Sequence, residues 1–355
     1  MNIIRAFLPH DEADLQRLTH QPMPGWIRLA YCNSPSYRAG EAIKGDEVSV
    51  NVFVDADGHL GGCWTHAIKH LWLEGRRQRV GYLTGLRSFA FARNQRGLFR
   101  GYEWVRERER TDPLPLSITS IVSANKPIRT LLTSRRANLP AYLEAGEIVT
   151  FGVTSRAIQR RFRMANGYAV LDGNTVGEMR LRAFYNEVSP RRTLFPVLPS
   201  TLPTGLTWRD FVVLEKDGEI VAAAAVWNQQ AIRQIHVASY HPLLAVLRPL
   251  LNPILKLSGY FPLPPPRQDM DCVYLAYRLT RNESPTEFES LLAATVSRTG
   301  QRILFFALHE NDALLPNALR LTAWHYRSML YTVSFASDPA PFVFHQPPYI
   351  ELATL

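Results

Sequence analysis

The chain has 355 residues, 46% hydrophobic and 20% charged, with a formal net charge of +9 at pH 7. This length allows two domains of ordinary size, and the balance excludes a disordered or low-complexity chain. The positive excess suits anionic ligands such as phosphates or CoA, and no run of about 18 apolar residues exists to span a membrane.

The nearest apolar stretch, residues 242–261, is interrupted by Arg248, Pro249, Pro253 and Lys256. Cys32, Cys63 and Cys272 are odd in number, far apart and in no CxxC pair, which fits a reducing compartment. The N-terminus has neither a basic region nor a long apolar core. A cytoplasmic protein is expected.

The chain opens with a strand at residues 2–7 and an acidic helix start at 11–14. Residues 47–55 alternate apolar and polar, the period of a half-buried strand. Asp55, Asp57 and Gly58 form a turn into a strand at 60–73, and a third strand follows at 79–87. Then come an Arg/Gly-punctuated turn at 93–101, a helix at 102–110, a strand at 116–123, Asn125, and a helix near 128–134. The turn can hold a pyrophosphate through backbone N–H groups, a helix N-terminus and arginines. Residues 147–153 add a strand.

A similar order runs again: a strand at 168–171, a helix at 177–188, a Pro-rich connector at 190–203 and a hairpin at 211–227. After a second breaker at 262–266 come a strand at 272–280, a helix at 286–299, a strand at 302–308 and a final hairpin arm at 324–335. The order is that of an α/β (α+β) chain with a mixed sheet, in two copies divided near residue 165.

The Tyr82-Leu-Thr-Gly-Leu-Arg87 strand, the Arg/Gly turn, the helix and the strand leading to Asn125 resemble the acyl-CoA-binding core of GCN5-related N-acetyltransferases. The whole chain resembles a tandem, two-lobed member of that family. The resemblance implies an N-terminal domain at 1–164 that binds acetyl-CoA. The C-terminal domain at 165–355 would be degenerate and shape the substrate cleft or serve structure, because its strand runs into Asn282-Glu-Ser-Pro285 without a Gly turn. Pantetheine would pair with backbone near Leu86, Arg87 and Ser88. The pyrophosphate would lie over Arg93, Asn94, Arg96, Gly97 and Leu98, and Asn125 would face the cofactor.

Three positions depart from the family pattern. Phe99 stands where a small residue is usual, Thr133 where the family often has a Tyr acid, and no Glu lies on the strand at 81–87. The catalytic acid and base are therefore not assigned, and Asn125, Glu103 and Tyr142 are the candidates. Asn125 also suits a helix N-cap, and Glu103 a first-turn charge on the helix dipole. His66 and His70 share HxxxH spacing in a strand, where they stand about 13 Å apart, and no metal is expected.

The expected activity is acetyl transfer from acetyl-CoA to a primary amine by direct attack on the thioester. The alternatives are a non-catalytic acyl-CoA-binding scaffold and a tRNA-dependent aminoacyl transferase of tandem type. Partners would be an amine-bearing small molecule or protein rather than nucleic acid, with the chain a monomer or a dimer.

Overall fold

A short tight turn sets the first hairpin. The Asp55 carboxylate accepts the backbone N–H groups of Asp57 and His59, and Gly58 takes φ 85°, a conformation that suits a residue without Cβ. The alternating segment before the turn then pairs antiparallel with the segment after it, from Glu47↔Ile68 to Val54↔Leu60. The hairpin at 211–227 turns instead on Asp217 and Gly218, both at positive φ.

The computed structural model describes residues 3–355 apart from 24, 56, 93–96, 135, 137, 138 and 337. Its N-terminal half contains β1 (Ile3–Ala6), α1 (Glu12–Thr19), β2 (Ile27–Cys32), α2 (Tyr37–Ala42), β3 (Glu47–Val54), β4 (Leu60–Leu73) and β5 (Arg76–Ser88). It continues with α3 (Gly97–Thr111), β6 (Ser117–Val122), α4 (Lys126–Leu132), β7 (Ala141–Val153) and α5 (Ser155–Arg161). Next come β8 (Ala169–Asp172), α6 (Gly173–Val176), α7 (Glu178–Val188), β9 (Phe195–Pro196), β10 (Phe211–Lys216), β11 (Glu219–Trp227) and β12 (Gln234–Tyr240). The chain closes with α8 (Pro242–Ser258), β13 (Gln268–Asp269), β14 (Cys272–Thr280), α9 (Pro285–Thr299), β15 (Ile303–His309), α10 (Leu315–Ala318) and β16 (Ala323–Ser334).

One long sheet runs β1-β3-β4-β5-β6-β16-β7-β15-β14-β11-β10-β8. Read from its two edges, the order is the same series. Each half supplies an edge strand, a hairpin, and then a parallel pair, β5 with β6 and β14 with β15. The last strand of each half is exchanged. β16 pairs with β6 through Ser328↔Val122 to Val333↔Ser117, and β7 pairs with β15 through Leu304↔Val153 to His309↔Ile148. The segment at 324–335 is thus not a local hairpin arm but a central strand between β6 and β7. It finds more partners there than a hairpin in its own half would give.

Helices cover both faces. Over the strands of the C-terminal half, α9 and the preceding α5 pack on one face around Ile158, Phe162, Phe288, Leu291 and Phe306. On the other face α7 buries Leu181, Phe184, Tyr185 and Val188, the i, i+3, i+4, i+7 stripe of an amphipathic helix. In the N-terminal half α3 and α4 cover one face through Tyr102, Val105 and Leu132, and α1 covers the other through Leu15 and Leu18.

Two elements lie outside the sequence expectation. A small sheet, β13-β12-β2, ties residues near 30 to residues near 236. The prolines at 249 and 253 sit inside α8 without ending it; Gly259, at φ 93°, closes the helix. Helix α3 also starts five residues earlier than the reading at 102–110, so Gly97 and Leu98 are helical rather than part of a turn. Among the described residues no helix is long and apolar enough to cross a membrane.

Candidate active site

Strands β5 and β6 meet in parallel only at Gly81↔Ser117 and Tyr82↔Ile118, although both run on to Ser88 and Val122. The close approach needs Gly81, since a Cβ there would lie 2.3 Å from Ser117 Oγ. Thr119 Oγ1 donates to the Leu83 carbonyl at 2.6 Å, and past this point the strands part. On its other side β5 bulges: Cys63 faces Arg87 and Thr65 faces Thr84, so Gly85 and Leu86 fall out of the ladder. Gly85 sits at φ 66°.

A groove of about 600 Å³ fills the opening, lined by the bulge, by the start of α3 at Gly97 and Leu98, and by Asn125 and Ile128. On the other side of the bulge lies a second cavity, of about 470 Å³. Thr84, Gly85, Arg87, Ser120 and Val122 line both, so the two spaces meet at one seam.

A buried polar cluster flanks the seam. The Glu41 carboxylate accepts from Asn33 Nδ2 at 2.8 Å, Lys44 Nζ at 2.7 Å and Thr65 Oγ1 at 2.5 Å. Burial opposes its ionisation, but the Lys44 charge and these three donors prevail and hold the carboxyl below its ordinary range. Burial lowers Lys44 in turn, against the pull of Glu41. A Cβ placed on Gly85 would lie 3.4 Å from Thr65 Oγ1 and 3.5 Å from Glu41 Oε2. Glycine at 85 thus leaves the carboxylate open to the seam.

Of the residues singled out from sequence, Leu86, Arg87, Ser88, Gly97, Leu98 and Asn125 all line the groove. Arg93, Asn94 and Arg96 lie outside the described residues. Asn125 stands at the N-cap of α4, yet its side chain makes no capping hydrogen bond. Gly97 has a packing role too, because a Cβ would stand 3.0 Å from the Phe53 ring. Tyr142 lines the groove from β7, where its hydroxyl is hydrogen-bonded to that of Tyr102. Burial raises both phenols, Tyr102 to about 12. Glu103 is on the exposed side of α3 and does not line the groove.

His66 is buried, while His70 is half-exposed and bonded to Asp46 at 2.9 Å, so the pair does not converge. The side chains of Asp55, Asp57 and His59 do converge, but at an exposed hairpin tip where Asp55 already closes the turn. Sequence reasoning missed Glu41, Asn33, Lys44 and Thr65. Nothing in the sequence around Glu41 and Lys44, three residues apart, marks them, and only the fold buries them.

The second parallel pair has the same device in a different state. β14 and β15 pair over Cys272↔Ile303 to Tyr274↔Phe305 and then part. β14 also bulges, skipping Tyr277 and Arg278 between Ala225↔Ala276 and Ala223↔Leu279, with Tyr277 at φ 51°. Here the C-terminal segment occupies the opening. Glu351 Oε2 accepts the Tyr277 N–H at 2.6 Å, and Tyr349 Oη accepts the Arg278 N–H at 2.9 Å.

No family profile matches the chain, and no curated protein matches it in sequence. Solved structures do match. A GCN5-related N-acetyltransferase from Sphaerobacter thermophilus is 12% identical at TM-score 0.54, over 100% of this chain and 98% of that one. One from Anabaena variabilis is 11% identical at TM-score 0.52, over 93% and 72%. A GCN5-related glucosamine N-acetyltransferase region of a fungal multi-domain beta-N-acetylglucosaminidase is 10% identical at TM-score 0.61, over 94% of this chain and 38% of that one.

Proposed function

We propose that this chain, which has the fold of the GCN5-related N-acetyltransferases, transfers an acyl group, acetyl foremost, from acyl-CoA to a primary amine. The observation that carries this reading is the seam: one bulge, at Gly85 and Leu86, shared by a groove on one side and a cavity on the other. A thioester entering through the groove and an amine entering through the cavity would meet there. The free-base amine nitrogen attacks the carbonyl carbon, the C–S bond breaks, the thiolate leaves, and the proton shed by the nitrogen ends on the thiolate, giving the amide and free CoA thiol.

The N-terminal half is the one we assign to the cosubstrate. Backbone at Leu86, Arg87 and Ser88 would take the pantetheine arm. The first N–H groups of α3, at Gly97 and Leu98, would face the pyrophosphate with the positive end of the helix dipole. Holding amine and thioester in one seam supplies much of the rate enhancement such a site needs. We read the C-terminal half as a lobe without cosubstrate, because Glu351 and Tyr349 already hold the backbone groups of its bulge.

Calorimetric titration with acetyl-CoA and, separately, desulfo-CoA tests the reading. About one equivalent bound at micromolar affinity is expected, followed by turnover on an amine panel. Binding without turnover on any amine would favour an acyl-CoA-binding scaffold, and no binding by folded protein would end the acyltransferase reading.

A further inference from the structure

The cavity on the far side of the seam has two unlike ends. Its lining is mixed, with more apolar than polar surface. Ile27 and Leu29 from β2 and Ile235 and Val237 from β12 form one side, and Phe305 and Trp324 face the same space. The small sheet that supplies the first side joins the two halves of the chain, so neither half makes this wall alone. At the other end, against Gly85, sits the Glu41 cluster.

The polar groups along the wall are largely engaged. Arg233 donates to the carbonyl oxygens of Ala353 and Leu355, both at 3.0 Å, and Tyr31 and Tyr326 interact with each other. Glu41 Oε2 accepts from Thr65, and a carboxylate oxygen can accept a second hydrogen bond. Its free side is the one that Gly85 leaves open. A ligand with one N–H-bearing group and an apolar remainder matches this division. A ligand with many polar groups would find few free partners, because Arg87, Tyr82 and Tyr326 in the lining are already bonded within the protein.

Resting on the acyltransferase reading, we propose that the acceptor is a primary amine carried on an apolar alkyl or aryl body, with Glu41 as the group that receives and orients its nitrogen beside Gly85. Ile27, Leu29, Ile235 and Val237 set the specificity by excluding polar bodies. Thr65 and Asn33 are positioning residues that fix the carboxylate.

The test uses the full chain saturated with desulfo-CoA and a series of n-alkylamines from propyl to decyl, titrated by calorimetry. Affinity should rise roughly fourfold per added methylene until the cavity is full. Spermidine and glucosamine should bind at least 100-fold more weakly than the best alkylamine, and acetyl transfer should follow the same order. A flat series, or preference for spermidine or glucosamine, overturns the inference. Desulfo-CoA binding is read first and separately. If it fails, the acyltransferase reading falls, and if it succeeds beside a flat amine series, only the acceptor class falls.

Two variants locate the amine. Glu41→Gln alone strands the Lys44 charge, so it is paired with Lys44→Met. The double variant should lose at least tenfold in amine affinity while keeping desulfo-CoA affinity, and unchanged amine affinity would remove Glu41 from the site. Should that variant fail to fold, Ile235→Ser provides an independent check through a flattened chain-length dependence. Presenting the amine as octadecylamine in phosphatidylcholine vesicles distinguishes sources. Transfer to free alkylamine alone assigns a dissolved acceptor, transfer to the vesicles assigns a bilayer-borne one, and transfer to neither overturns the acceptor class.

Discussion

The two bulges, at Gly85–Leu86 and at Tyr277–Arg278, do the same thing to the backbone and end in opposite states. Each follows a parallel pair that parts after two or three residues, and each drops two residues from the antiparallel ladder behind it. The first bulge faces a groove and a cavity. The second meets a carboxylate and a phenol from its own C-terminal segment. Backbone geometry alone therefore does not make a site. What decides is whether the chain leaves the freed N–H and C=O groups to a ligand or satisfies them itself.

The side chain at the first bulge position carries the largest expected effect. Gly85→Leu forces a branched residue to φ 66°, at roughly 1–2 kcal/mol, and places its atoms against Thr65 and Glu41, in the seam. Acetyl transfer, measured as kcat/KM, should fall at least ~100-fold, about 2.7 kcal/mol, with the circular dichroism spectrum retained. Near-normal transfer by a folded variant would break the comparison, because the open bulge would then not be where the chemistry happens.

Glu351→Ala tests the closed bulge. It removes the acceptor of the Tyr277 and Ala353 N–H groups and a partner of the Tyr349 hydroxyl. Leaving a buried N–H unsatisfied costs about 1–3 kcal/mol, and the loss should register as a lower chemical-denaturation midpoint. Desulfo-CoA stoichiometry should stay at one. A second equivalent would sharpen the comparison, by making the C-terminal segment the sole obstacle in that half.

Lys69 ties the same segment to β4. Its ammonium nitrogen lies 2.8 Å from the Thr354 carbonyl and 2.9 Å from Thr354 Oγ1, over the Tyr82 ring at 4.5 Å. Burial, against the favourable charge of Glu351, pushes its pKa down to about 7 from 10.5. The folded state then binds fewer protons than the unfolded state between those values, so this residue's contribution to stability rises with pH across that window. It is fully present above the unfolded value and is lost as pH falls toward 7. Lys69→Met should flatten the slope of stability against pH between about 7 and 10. An unaltered slope would mean that the charge at Lys69 does not couple to the docking of the segment.

Much of this arrangement is written locally. Asp55 with Gly58, and Asp217 with Gly218, specify their hairpins because the turn chemistry is contained in a few residues. The stripe Leu181, Phe184, Tyr185, Val188 specifies α7 in the same way. The exchange of β7 and β16 is not written locally, since Ser328 and Val122 meet across some 200 residues and either strand would pattern identically beside another neighbour. For the same reason the small sheet, with Gln234 opposite Cys32, left no trace in a window of ten residues. The site divides along this line. Leu86, Arg87 and Ser88 could be read as candidates from a strand motif, whereas Gly85 and Glu41 enter the candidate site only when α2 is laid against the bulge.

Glu103 supplies the smallest expected effect and the control for the rest. It lies one residue after Tyr102, and in sequence it stands as near the turn as any candidate acid. A helix separates neighbours by about 100° around its axis, however, and α3 turns Tyr102 into the groove and Glu103 out to solvent. Because α3 starts at Gly97, Glu103 lies beyond the first turn, where the helix dipole acts, and its exposed carboxylate is left without the first-turn role its sequence position suggested. Glu103→Gln should therefore leave kcat/KM within about twofold and move stability by no more than about 0.5 kcal/mol, as for an ordinary surface substitution. A loss of transfer comparable to that of Gly85→Leu would place the reacting atoms on the outer side of α3. It would also make the seam between groove and cavity a structural accident of the bulge.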